Sequence, residues 1–120
     1  MSQLHVFSKS PVKASDVIGT SVVDPKDESL GEIKELVIDP STGRVSYAVV
    51  SFGGFLSMGE KLFAIPFSTF KHNVTTNKYV LNVSKEHLKE APGFDSSHWP
   101  TMSDEKWNRD IHEYYEGAPH

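Results

Sequence analysis

Cysteine is absent from the 120 residues. Disulfides, thiolate metal sites, iron–sulfur clusters and cysteine nucleophiles are excluded with it. Long apolar runs are missing too. The most apolar stretches, such as Tyr47 to Val50, fall far short of the roughly 20 residues that a membrane-spanning helix needs. Met1 to Ser10 holds no apolar segment of signal-peptide length, so the expectation is a cytoplasmic protein without membrane insertion. Positive charge is scarce: Lys plus Arg number 12 against 16 Asp plus Glu, for a net charge of −4. A mildly acidic chain is poorly suited to holding nucleic acid by its phosphates, and no direct nucleic-acid contact is expected. What is present is globular in composition, with 38% hydrophobic and 23% charged residues, enough for one core in one domain.

Along the chain, residues 1–13 mix Ser, Lys and Pro11 with few apolar side chains and predict a flexible N-terminal arm. Residues 14–92 read as the folded domain, opening with a short turn at Ser15 to Gly19. Strands are predicted at Ser21 to Val23, Leu30 to Ile38, Arg44 to Phe52, Lys61 to Ile65 and Lys78 to Val83. The alternation slips near Leu36, as it does at a bulge. Asp39-Pro40-Ser41-Thr42-Gly43 is a turn started by the Asp39 side chain. Both faces of the next strand are apolar by Ala48 to Val50, which marks a central strand. Phe67 to Phe70 suits one helical turn, and Ser84 caps a short helix that runs to Glu90.

Residues 93–120 form a C-terminal extension, irregular to Pro100 and then helical over about 103–116, with Ser103 as the N-cap. Trp107, Ile111, Tyr114 and Tyr115 fall at i, i+4, i+7 and i+8, one apolar stripe along that helix. Short strands separated by turns, followed by such a helix, predict a mainly β fold: a small antiparallel barrel of five or six strands with a helical extension.

Leu30-Gly31-Glu32-Ile33, the Asp39 to Arg44 turn, Tyr47-Ala48-Val49-Val50, Gly53-Gly54-Phe55-Leu56 and Gly59-Glu60-Lys61 leading into Ala64-Ile65-Pro66-Phe67 resemble the PRC-barrel family. The barrel is shared by the cytoplasmic domain of the photosynthetic reaction centre H subunit and the C-terminal domain of a ribosome maturation factor. The resemblance covers roughly Ala14 to Pro92, and the tail is similar to that of stand-alone bacterial members. Ser57 stands where those members often have Gly. The resemblance implies the barrel, a habit of docking onto other proteins, and no chemistry.

The residues themselves support the same expectation. Ser68-Thr69-Phe70-Lys71 matches a Ser-x-x-Lys nucleophile pattern, but the supporting Ser-Asp-Asn and Lys-Thr-Gly elements are missing, and Ser10 to Lys13 matches by chance. Gly53, Gly54 and Gly59 could aim N–H groups at an anion; the Walker pattern and its helix are absent, so turn geometry is the simpler reason for them. Phe55, Leu56 and Met58 are apolar residues on that connection, to be packed inside or covered by a partner. His112 and Glu116 share a helical face and with His98 are weak metal candidates; two ligands without a third of fixed spacing make a poor site. No carboxylate pair can be placed across a cleft.

The expectation is therefore a non-enzymatic, cofactor-free protein-interaction or assembly module of a bacterial cytoplasm. It would act through Phe55, Leu56, Met58, Trp107, Ile111, Tyr114 and Tyr115, with an unidentified protein partner and a homodimer favoured. The stripe can cap its own barrel or cover a neighbouring copy, and both remain open. Two alternatives carry different chemistry: a small-ligand or metal sensor built on His98, His112 and Glu116, and an RNA-processing accessory that docks on a ribosomal protein.

Overall fold

The computed structural model describes residues 7–8, 11–52 and 61–117. Its elements in chain order are β1 (Phe7–Ser8), α1 (Ala14–Val17), β2 (Ser21–Val23), β3 (Ser29–Asp39), β4 (Arg44–Ser51), β5 (Lys61–Pro66), a 3-10 turn (Phe67–Thr69), β6 (Phe70–Asn73), β7 (Lys78–Leu81), α2 (Lys85–Lys89), β8 (Phe94–Asp95) and α3 (Glu105–His112). A π-helical turn, Glu113–Gly117, continues α3.

All eight strands belong to one sheet in the order β1-β6-β7-β2-β3-β4-β5-β8. Every pairing is antiparallel except β2 with β7, where Val22 lies beside Tyr79 in parallel register. Phe70 on β6 and Ile65 on β5 sit far apart in strand order yet share one core cluster with Val22, Ile33, Ala48 and Leu81. A sheet whose distant strands meet at one core has curled on itself.

Local chemistry explains the elements. The Asp39 carboxylate accepts from the Ser41 amide and hydroxyl at 2.9 and 2.8 Å. Gly43 closes that turn at φ +76°, a conformation glycine adopts without steric cost. Ser84 caps α2 by accepting from the His87 amide at 3.0 Å. On β4, Tyr47, Ala48, Val49 and Val50 are all buried, as a strand covered on both faces must be.

Several expectations need correcting. Among the described residues the sheet has eight strands rather than five or six, because the two-residue strands β1 and β8 and the four-residue β6 are too short for periodicity to reveal. Within residues 1–13, Phe7–Ser8 pair with Asn73 and His72 in the sheet. The turn at Ser15 to Gly19 contains a helical turn, α1. Helix α3 starts later than expected. Its N-cap is Asp104, whose carboxylate accepts from the Lys106 amide, rather than Ser103. The slip near Leu36 resolves into two register shifts, one between Ile33 and Glu35 and one between Val37 and Ile38.

At Gly31, β3 runs close against the backbone of β4. A Cβ there would stand 2.1 Å from the Ser51 carbonyl oxygen, a contact only backbone movement could relieve. Gly31→Ala is expected to lower stability by about 2–3 kcal/mol, read as a lower urea midpoint with an unchanged slope.

Candidate functional site

The place where the barrel meets the C-terminal segment carries several long-range side-chain hydrogen bonds. Tyr47 is its centre. Its ring is buried on β4 and packs edge-on against Trp107, with centroids 5.3 Å apart. Its hydroxyl donates to Asn108 Oδ1 on α3. The Asn108 amide in turn donates to the carbonyls of Met102 and Asp104, each at 2.8 Å. One tyrosine thus ties strand, helix and the approach to the helix together. Burial, with a smaller contribution from Glu116, pushes the Tyr47 phenol above its ordinary range, so it stays a neutral donor.

Beside this tie lies an open groove of about 490 Å³, with Val37, Ile38, Asp39 and Pro40 on one side and Met102 and Asn108 on the other. The register shift between Val37 and Ile38 places Ser46 out of step and re-aims the strand end, so Ile38 is 56% exposed at the groove's lip. Asp39 also lines the groove. The Ser41 hydroxyl and amide hold its carboxyl below the ordinary aspartate value.

A second set of contacts fastens the end of the helix. The His87 ring stacks on Tyr114, with centroids 4.1 Å apart and 16° between planes. His87 Nε2 meets the Tyr114 carbonyl at 2.9 Å, and the Tyr114 hydroxyl donates to the His87 carbonyl. Glu116 accepts from the Ser68 hydroxyl at 3.1 Å through one oxygen, and its other lies 3.1 Å from His112 Nδ1. The π turn keeps both Tyr114 and Tyr115 on the barrel side. Tyr115 is 2% exposed, and its hydroxyl is buried without a partner. Burial pushes that phenol strongly upward.

The residues singled out in the sequence distribute unevenly. Phe55, Leu56, Met58, Gly53, Gly54 and Gly59 lie outside the described residues. Ile111 and Tyr115 belong to the chain's own core, with Trp107 and Tyr114 half-buried against it. Of the two arrangements left open for the stripe, this structure adopts the intramolecular one. The surface that Ile111 and Tyr115 would offer a second copy is already covered. The metal candidates part company: His98 joins Asp95 and Ser97 in an exposed turn, whereas His112 joins Glu116. Among the described residues no group of three or more His, Asp or Glu side chains is arranged to hold a metal. Ser68 is engaged with Glu116, and Lys71 points to solvent. Ile38 and Asn108 were not foreseen. Leu36-Val37-Ile38, three apolar residues in a row on an alternating strand, is the signal that one of them must face outward.

Against known proteins, a family model described as PRC-barrel domain matches residues 11–88. Among solved structures the chain is similar to a protein from Pseudomonas aeruginosa described as the 16S ribosomal RNA processing protein RimM. The two are 13% identical with a TM-score of 0.42, over 65% of this chain and 48% of that one. The chain thus spans about half the length of the structure it matches. No curated protein matches it.

Two outcomes follow from the polar geometry. Tyr47→Phe leaves Asn108 Oδ1 without its donor and is expected to cost about 1 kcal/mol, measured by denaturant unfolding. At Asp95, the Ser97 hydroxyl, His98 and the Ser97 amide hold the carboxyl down at about 2. Its stabilising effect is complete above the ordinary aspartate value and is lost as pH falls through about 2. Carboxyl-carbon NMR should give that midpoint, and Ser97→Ala should raise it.

Proposed function

The chain belongs to the PRC-barrel domain family, and from that premise we propose a non-enzymatic interaction and assembly module, working in a bacterial cytoplasm through apolar surface that a partner polypeptide covers. One observation carries the reading: Ile38, on a strand that turns its other aliphatic side chains inward or half-inward, is 56% exposed at the lip of a concave, largely apolar groove. A lone exposed isoleucine is ordinary. One that a backbone irregularity presents at a groove's edge is placed where another side chain can cover it.

The polar groups nearby support the same reading, because they are occupied in fastening the helix. Asn108 holds two backbone carbonyls, and Glu116 is bridged between Ser68 and His112. The proposal extends to Phe55, Leu56 and Met58 as a second apolar surface, and to a homodimer formed through it.

Two measurements test this. Capture from extracts of the source cell is expected to retain a protein on the wild-type chain that Ile38→Asp loses, with the melting temperature of the variant within a few degrees of wild type. Sedimentation velocity of Phe55→Asp combined with Leu56→Asp should show weaker self-association at unchanged circular dichroism. Identical retention by both chains removes the groove from the interface, and an identical sedimentation profile removes the loop.

A further inference from the structure

We propose that the C-terminal helix α3 is a removable cover: it occupies, from within the chain, a face of the barrel that an amphipathic helix of a partner protein takes in its place. This rests on the interaction-module reading and names the partner's chemistry together with the contact that holds it off.

The face is set by register. Tyr47 lies opposite Pro66 and Val49 opposite Ala64, so these four side chains share one side of the β4–β5 pair, and all four are buried. Helix α3 lies over that side. Trp107 meets the Tyr47 ring edge-on, the His112 ring stands 5.7 Å from it, Asn108 takes its hydroxyl, and the helix touches β5. Strands β2 to β7 fall within the residues that match the family model, 11–88, and α3 falls beyond them. The barrel thus presents an apolar sheet face, and a separate helical segment covers it. Such a face accepts an amphipathic helix by its apolar stripe, whichever chain supplies the helix.

The hold on the helix is incomplete. Its α-helical part is 8 residues long, Glu105–His112, and a helix that short does not persist in water without something to pack on. Glu116 fastens its end through Ser68 and His112, both contacts exposed to water, where such pairs contribute little. The Tyr115 side chain is seated in the core, yet its hydroxyl is buried with no hydrogen-bond partner. Seating Tyr115 strips that hydroxyl of water and gives nothing back, so the closed state carries a cost that opening removes. A tethered helix enjoys an effective concentration of about millimolar, and the orphaned hydroxyl offsets part of that advantage. The seated stripe also shows what a competitor must look like: Trp107, Ile111 and Tyr115 fall at i, i+4 and i+8. A partner helix with large apolar residues at those spacings, and Phe at the third, fills the face without an unpartnered hydroxyl.

Native-state hydrogen exchange on the full chain tests removal, and a fluorescein-labelled peptide of residues 103–117 tests replacement. The amides of Ile111 and Tyr115 are expected to show protection at least about tenfold below that of Val49 and Val50, because they open while the barrel stays folded. Tyr115→Phe in the chain should raise their protection about tenfold and lower the chain's affinity for the peptide by a similar factor. The same change made in the peptide alone should raise that affinity. Asn108→Ala in the chain, which cuts the tie to Tyr47, should lower the protection and raise the affinity. Circular dichroism shows that both variants fold, and the exchange measurement on the wild-type chain needs no variant. The proposal is overturned if Ile111 and Tyr115 are protected as strongly as Val49 and Val50, since the helix then never leaves an intact barrel. It is overturned if Tyr115→Phe lowers protection, if the peptide fails to bind, or if it binds wild type and both variants alike. Dimers that grow with concentration while peptide binding is lost assign the face to a second copy's helix and overturn it too. Should any of these results stand while Ile38→Asp still loses the captured protein, the module reading holds and only the removable cover falls.

Discussion

The hydrogen bond from Tyr47 on β4 to Asn108 on α3 is the interaction on which the junction of barrel and helix depends. Tyr47 is buried against Trp107, and Asn108 is the partner its hydroxyl finds. Because the same amide donates to two carbonyls, the position of the helix and the shape of the segment before it follow from one side-chain network. The groove lies beside this network, with Met102 and Asn108 on one side and Val37 to Pro40 on the other. Networks of this kind are worth more complete than half-made, which ties the stability of the junction to each of its members.

The C-terminal helix is short, and isolated helices of its length are marginal in water. Burial of Ile111 and Tyr115 supplies what propensity cannot, and the His87–Tyr114 stack adds a second anchor near its end. The helix lies outside the residues that match the family model, 11–88. The residues lining the groove thus come both from the matched span, Val37 to Tyr47, and from the segment beyond it, Met102, Ser103 and Asn108.

Much of the fold was legible along the chain. The turn at Asp39 to Gly43, the Ser84 cap and the two-faced apolar strand at Tyr47 to Val50 each declare themselves by residue types whose geometry leaves few choices. The short strands β1, β6 and β8 do not, because two to four residues hold no period and their pairing is decided by partners distant in sequence. The candidate site was less legible still. His98, His112 and Glu116 share ligand chemistry, yet local turn and helix contacts separate them into two pairs. The aromatic stripe was visible as a stripe, while its destination was not.

The amino-acid order alone determined the class of fold, the family, the turns and the presence of an amphipathic helix, because composition, period and turn chemistry act over a few residues. Tertiary structure alone decided that the helix lies on its own barrel, that Ile38 faces solvent and that Asn108 meets Tyr47. The contacts that hold the helix on the barrel join segments distant in sequence, 61 residues apart in the Tyr47–Asn108 pair and 48 in the Ser68–Glu116 pair. Such contacts depend on how a curled sheet presents its surface, which no local pattern encodes.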